Sequence, residues 1–375
     1  MERGLVAEID LQAVSHNFGT IRQITGGRSV IAVVKADAYG HGAYQVSKRL
    51  VSDGAGYLAV AFMNEARALR EAGINAPIIV LFDPDVCEAF KYNLTPSVGT
   101  MKAALDLSRE AEKLGRNINI HIKVDTGMGR LGFRGQVRRD ILEIARLPRI
   151  NIEGIMSHFS EADIMDRSFA CSQIAAFAAL RNDLAASGLY VPLYHMANSA
   201  AVMALPESHF DAVRPGIMLY GCPSAPTQSH SLLDCPDIPL PKLLPVMRAK
   251  TRIVALRKLP PRTPVSYGRT FVTARESLIG VISAGYADGF SRLFSNNAAV
   301  LVRGKRAPVV GRVCMDVTMI DVTDIAGVSE TDDVIIMGSQ AGESISAAEL
   351  ARWSDTIPYE VMLSIGSRAR RIYVG

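Results

Sequence analysis

The feature that most constrains this chain is the regular alternation of short apolar runs with helical patterns across its first two thirds. The runs are SVIAVVKA (29–36), YLAVA (57–61), PIIVLF (77–82), TPSVG (95–99), NINIHIKVD (117–125), INIEGIMSHF (150–159), VPLYHMAN (191–198) and AVRPGIMLYG (212–221). Between them lie helical patterns such as NEARALREAG (64–73), MKAALDLSREAEKLG (101–115) and RSFACSQIAAFAALRNDLAASG (167–188). Runs that are apolar throughout, each followed by a helix, read as parallel strands buried on both faces. Eight such units predict an α/β fold, a TIM-like (β/α)8 barrel, although an open doubly wound sheet fits the same pattern. Asp10 serves as a predicted N-cap for an opening helix over LQAVSHNFGTIRQI.

The pattern breaks at CPSAPTQSHSLLDCPDIPLPKLLP (222–245), a Pro- and Ser-rich stretch that reads as a boundary. Beyond it, strand-like segments such as VMRAKTRIVALRKL, SLIGVISAGYA and DDVIIMG lose their intervening helices. One helix is predicted there, SAAELARWSDTI (346–357). The expected organisation is a barrel domain over residues 1–238 and a mostly β C-terminal domain over 239–375.

Bulk properties exclude several classes. A net charge of +4, from 41 basic and 37 acidic residues, is too small an excess to predict a nucleic-acid partner. Glu2, Glu8 and Asp10 stand where a signal peptide needs an apolar stretch, and no run approaches the ~18 apolar residues of a membrane span. Cys87, Cys171, Cys222, Cys235 and Cys314 are odd in number, widely spaced and form no CxxC pair, which points to a reducing, cytoplasmic setting. With no HExxH and no Cys/His cluster, no catalytic metal is expected.

Within VVKADAYGHG (33–42), Lys35 falls at the end of a predicted buried strand, the end at which a parallel barrel places its active site. A partly desolvated amine there can form a Schiff base; a lysine that merely extends to solvent fits the position equally well. GMGRLG (127–132) matches a dinucleotide fingerprint, with Glu153 about 20 residues onward. It sits in mid-domain, however, with an arginine in its centre. His158 and His195 lie on apolar strands and read, taken alone, as core histidines. Cys314 precedes Met315 in a β segment and reads as structural rather than nucleophilic.

VVKADAYGHG resembles the cofactor-lysine motif of bacterial alanine racemases, and similar segments follow in the family's order. They are KVDTGMGRLGF (123–133), SHF (157–159), HMANSAA (195–201), VRPGIMLYG (213–221), VSYG (265–268), GYADG (285–289), GRVCMD (311–316) and IPYE (357–360). The resemblance implies a pyridoxal-phosphate-dependent isomerase that interconverts L- and D-alanine, with Lys35 carrying pyridoxal 5'-phosphate as a Schiff base. Arg130 would bond the cofactor's phenolic oxygen and help position the substrate carboxylate. Arg214 would approach the pyridine nitrogen, with His158 packed beside it. Tyr39, Ser199, Gly216, Ile217 and Tyr359 would hold the phosphate.

By the same resemblance, Tyr267 would be the second catalytic base, and Tyr286 and Met315 would line the substrate entrance. Lys123 matches a position that is often carbamylated. Lys35 and Tyr267 would come from different subunits of a homodimer with shared active sites. Phe271 departs from the family pattern, in which a tyrosine is common, and this touches neither proposed base. Alternatives are a pyridoxal-phosphate racemase of serine or another amino acid, or a non-catalytic pyridoxal-phosphate-binding protein. Carriers of that kind resemble this chain around the lysine but lack the β domain and its tyrosine.

The chemistry explains the residue types. Inverting a stereocentre requires a proton removed from one face and delivered to the other, and hence two positioned acid–base groups. A free tyrosine titrates near 10 and needs positive charge or a hydrogen-bond partner to act as a base near neutrality.

Overall fold

The computed structural model describes residues 4–82, 85–223 and 240–375. Two compact units emerge. One comprises Val14–Ala38 and Ala43–Leu243, the other Met1–Ala13, Tyr39–Gly42 and Leu244–Gly375.

The first unit is a closed barrel of eight parallel strands. After strand β1 (Val6–Asp10) and helix α1 (Leu11–Ile24), the barrel strands are β2 (Ser29–Val33), β3 (Tyr57–Val60), β4 (Ile78–Val80), β5 (Thr95–Val98), β6 (Ile118–Lys123), β7 (Ile150–Met156), β8 (Leu193–His195) and β9 (Ala212–Val213). Closure is carried by β9 on β2, with Ser29 opposite Ala212 and Val30 opposite Val213. The short strands are buried on both faces, as the apolar runs predicted: Ile31, Ala32, Leu58, Val60, Ile78 and Val80 are fully buried. Intervening helices are locally encoded. Thr100 accepts from the Ala103 amide at the start of Met101–Leu114, and Gly115 at φ 65° closes it in the left-handed conformation. Asp10 caps α1 by accepting from the Gln12 and Ala13 amides at 2.8 and 3.0 Å.

The second unit is built on a nine-stranded sheet. Its long strand β10 (Met247–Leu259) pairs antiparallel with Asp333–Gln340 through Ala249–Arg252, and then from Ile253 onward with Ser277–Ile282, a pairing that shifts register between Ile253 and Ala255. One strand thus serves two neighbours in succession. Strand β1, ahead of the eight apolar runs expected to form the barrel, pairs antiparallel with β10 and parallel with Arg370–Val374. The buried Ala7 and Ile9 alternate with half-buried Val6, Glu8 and Asp10, a two-residue period that suits a mixed sheet rather than a barrel interior. Besides the expected helix Ala347–Trp353, a second helix spans Pro358–Arg368, with proline at its first position. The expected domain junction at 238/239 and Cys235 lie outside the described residues.

Candidate active site

Lys35 leaves the carboxyl end of β2 and begins an unusual turn. Ala36, Asp37, Ala38 and Tyr39 all have φ between 51° and 54°, one turn of left-handed helix without a glycine. Each such residue costs about 1–2 kcal/mol, so the turn must be imposed by its surroundings. Glu65 Oε1 accepts from the Ala36 amide at 2.5 Å, and Asp37 Oδ1 accepts from the Ala43 amide at 2.7 Å. Glu65 Oε2 in turn ties the Ala61 and Phe62 amides.

The half-buried Lys35 amine meets no hydrogen-bond acceptor among the described residues and stands 5.7 Å from the Phe82 ring centroid. Two more cations share that ring, Lys123 Nζ at 4.4 Å and Arg130 Cζ at 5.4 Å. Burial, then Arg130 and Arg214, lower the Lys35 pKa, and Glu65 partly opposes them. Lys123, at the end of β6, is 7 % exposed and donates to the Leu81 carbonyl at 3.1 Å. Burial and the charges of Arg214, Arg130 and Lys35 bring its pKa down to about 7. Both amines are thereby shifted toward the neutral form that attacks carbonyl carbon.

Arg214 follows β9 directly and is buried. Its Nη1 donates to His195 O at 2.6 Å and to His195 Nδ1 at 2.7 Å. Its Nη2 donates to Ser157 O at 2.5 Å and to His158 Nδ1 at 3.3 Å. Nε–H has no acceptor among the described residues. Burial lowers the guanidinium to about 9, which still leaves it a cation at neutral pH. Burial together with Arg214 and Arg130 holds His158 well below its ordinary pKa, hence neutral.

Ser199 opens the helix Ser199–Ala204, and its Oγ accepts from the Gly216 and Met218 amides at 2.9 and 3.3 Å. This brings Ser199, Gly216 and Ile217, predicted far apart in sequence to hold one anion, into a single corner of the unit. The first N–H groups of a helix have no intrahelical acceptor, so this corner is rich in anion donors.

In the β-rich unit, the rings of Tyr39 and Tyr359 lie 5.9 Å apart, and burial raises the Tyr39 pKa. Tyr286 and Met315 are neighbours there: the Tyr286 amide donates to Cys314 O at 3.0 Å and the Ala287 amide to Met315 O at 2.9 Å. Tyr267, on the turn Tyr267–Arg269, is 71 % exposed. Gly127, Gly129 and Gly132, all at positive φ, shape a loop around Arg130 rather than a helix start; the next helix begins at Val137. Phe82, Glu65 and the contacts of His195 were not singled out from the sequence, since none of them carries a motif of its own. Among the described residues no group of three His, Cys, Asp or Glu is arranged to hold a metal ion.

A parallel barrel with a desolvated lysine at the carboxyl end of its first strand, a buried arginine and a corner of helix-start amides has the features of a lysine-dependent barrel enzyme for an anionic ligand. Comparison with known proteins makes this specific. Residues 9–224 match the alanine racemase N-terminal domain and residues 246–373 the alanine racemase C-terminal domain. The alanine racemase of Thermodesulfovibrio yellowstonii is 48% identical over 378 residues, covering 100% of this chain and 99% of that one. The crystal structure of alanine racemase from the D-cycloserine producer Streptomyces lavendulae superposes with a TM-score of 0.91 at 32% identity, covering 100% and 98% of the two chains. That of Bartonella henselae, with covalently bound pyridoxal phosphate, gives 0.85 at 28% identity and covers both chains fully. The chain belongs to the alanine racemase family.

Proposed function

We propose that this chain interconverts L- and D-alanine on pyridoxal phosphate anchored at Lys35, with Lys35 and Tyr267 as its two proton-transfer groups. The observation that carries the reading is the Lys35 amine: half-buried, without an acceptor among the described residues, and pushed toward neutrality by burial and by Arg130 and Arg214. The residues present fit the cofactor. Lys35 supplies the amine, and Arg214 has an unengaged Nε–H for a ring nitrogen. Ser199, Gly216 and Ile217 gather amide and hydroxyl groups for a phosphate, with Tyr39 and Tyr359 as further hydroxyls. When bound, the cofactor disperses the negative charge that forms at the substrate's α-carbon.

Lys35 Nζ moves a proton at one face of that carbon and Tyr267 Oη at the other; the direction of the exchange decides which enantiomer forms. Arg130 would hold the phenolic oxygen and help position the substrate carboxylate, and Tyr286 and Met315 would line the approach. Arg214, a lasting cation, would hold the ring nitrogen through a donated hydrogen bond without giving up its proton. Lys123, with a pKa of about 7, is neutral often enough to take up carbon dioxide as a carbamate, and the resulting anion would hold Arg130.

Two copies of the chain complete each site, with Lys35 from one and Tyr267 from the other; the 71 % exposure of Tyr267 in the single chain suits a group that acts in a neighbour. The barrel portion and the β-rich portion on either side of residues 238/239 are the proposed domains. A cytoplasmic location belongs to the same reading, since the described cysteines are all unpaired, as a reducing compartment would keep them. The test is racemisation of L-alanine by wild type and Tyr267→Phe, with a visible absorption spectrum of each. Activity lost in the variant while the bound-cofactor band persists supports the reading. A cofactor band without alanine racemisation points to another amino acid or a carrier role, and absence of the band removes the basis of the reading.

A further inference from the structure

Arg214 is the end of a buried polar chain that crosses the barrel unit. Its Nη1–H donates to His195 Nδ1 at 2.7 Å, His195 Nε2 meets His121 Nδ1 at 2.7 Å, and His121 Nε2 stands 3.5 Å from Glu153 Oε2. The last link is long, yet neither His121 Nε2 nor Glu153 Oε2 has any other hydrogen-bond partner. Glu153 Oε1 is held from the other side, accepting from Tyr57 Oη at 3.1 Å and Asn119 Nδ2 at 3.3 Å. Both imidazoles are fully buried. Room for the His121 ring exists only because residue 154 is glycine: a Cβ there would lie 2.5 Å from Cε1 and 2.6 Å from Nδ1 of His121.

The two ends dictate every proton between them. A guanidinium only donates, so His195 Nδ1 must be bare and its proton must sit on Nε2. That proton points at His121 Nδ1, which must then accept, leaving the His121 proton on Nε2, aimed at a carboxylate that only accepts. Burial lowers the pKa of both histidines; Glu153 partly opposes it at His121, Arg214 adds to it at both, and the contact with His121 lowers the pKa of Glu153. Every donor then faces an acceptor, the last of them across 3.5 Å.

We propose that Glu153 is a positioning residue for Arg214: its carboxylate fixes the tautomers of His121 and His195, so that His195 presents a bare nitrogen to the guanidinium. The consequence for the reaction rests on the reading that Arg214 holds the cofactor; the tautomers themselves do not. Glu153→Gln makes the logic explicit. Tyr57 and Asn119 both donate to Oε1 and so hold the amide oxygen on their side, which turns the amide N–H toward His121. His121 must then accept on Nε2 and carry its proton on Nδ1, His195 must do the same, and its Nδ1–H confronts Arg214. The whole chain reverses and ends in a collision of two donors.

The experiment is nitrogen-15 histidine NMR of the full-length holoenzyme, wild type and Glu153→Gln, alongside racemisation kinetics. Expected are Nε2–H tautomers for both histidines in the wild type and Nδ1–H tautomers in the variant. The variant's kcat should fall roughly tenfold or more, with the KM for alanine unchanged, because a hydrogen bond to a charged group is disturbed on the cofactor side. An Nδ1–H tautomer at either histidine of the wild type overturns the proposal, as does a folded variant with unchanged tautomers. Should Glu153→Gln fail to fold, the wild-type spectrum keeps the proposal open to refutation through an Nδ1–H tautomer at either ring. Correct tautomers in a protein that does not racemise alanine would uphold the chain of protons and count against the reaction assigned above.

Discussion

Replacing Lys123 by methionine should change how stability depends on pH, and the structure sets both sign and size. Lys123 is 7 % exposed and its pKa falls from 10.5 to about 7 through burial and through Arg214, Arg130 and Lys35. Between those two values the unfolded chain binds a proton that the folded chain has released, so the stability of the wild type rises with pH. Well below pH 7 the full penalty of a buried ammonium is present; it lifts as pH climbs through 7 toward 10.5. The slope is about 1.4 kcal/mol for each pH step of one, and it is halved where the folded lysine is half-protonated. From pH 7 to 9 the wild type should therefore gain roughly 2 kcal/mol on Lys123→Met. The variant also loses the bond to Leu81 O and the contact with Phe82, but that offset is the same at every pH. The assay is urea unfolding of both proteins without cofactor, at pH 7, 8 and 9, in buffer free of carbon dioxide and at one protein concentration. Bicarbonate added at pH 8 should then stabilise the wild type alone, because a carbamate converts a repelled cation into an anion among Arg214, Arg130 and Lys35. A stability difference that stays flat from pH 7 to 9 would refute the reasoning.

Mixing inactive Lys35→Ala with inactive Tyr267→Phe should restore up to about a quarter of wild-type activity if sites are shared between subunits, since half the dimers are mixed and each has one intact site. No recovery despite demonstrated exchange would exclude sharing. Gly366→Ala should destabilise by about 1–3 kcal/mol, read as an earlier unfolding midpoint, because its Cβ would lie 2.3 Å from the Gly40 carbonyl in the turn that carries Tyr39. Arg214→Glu, which places an acid that shares its proton where a lasting cation stood, should raise amino transfer to the cofactor relative to racemisation. An unchanged ratio of the two would contradict the role given to Arg214.

Much of this was legible because buried parallel strands write themselves as continuous apolar runs. PIIVLF and NINIHIKVD mark β4 and β6, and the lysine at the end of VVKA is at the end of β2. What was not legible has physical reasons. VAEID at residues 6–10 alternates with period two, but its partners lie about 240 and 365 residues away in β10 and Arg370–Val374, and nothing local names them. The helix Pro358–Arg368 hides behind IPYE, read as a motif when Pro358 was also a helix start. Phe82 was counted as one more apolar residue of a strand, although its ring faces three cations. His195 reads as a core histidine, which it is, and His121 carries no signal of its own; the 2.7 Å contact between them joins strands β6 and β8, and no spacing along the chain encodes it. Four left-handed residues at 36–39 contradict local propensity outright, and such conflicts concentrate where a fold serves chemistry before stability.

The cluster around Phe82 carries the same conflict into electrostatics. Lys35, Lys123 and Arg130 face one ring, and Arg214 lowers the pKa of both lysines. Repulsion among them makes Lys35 a better nucleophile and Lys123 a carbamylation candidate, and the same repulsion weakens the folded chain when nothing anionic is bound. Both effects are one free energy read at two protonation states. A ligand that brings a phosphate, and a substrate that brings a carboxylate, relieve the repulsion without undoing the desolvation that lowers both lysine pKa values. Binding of such an anion to the folded chain alone must therefore stabilise it, by an amount that grows with ligand concentration over its dissociation constant. The instability is the affinity seen from the other side, and a variant that relaxes it, such as Lys123→Met, should bind pyridoxal phosphate more weakly while unfolding later at pH 7.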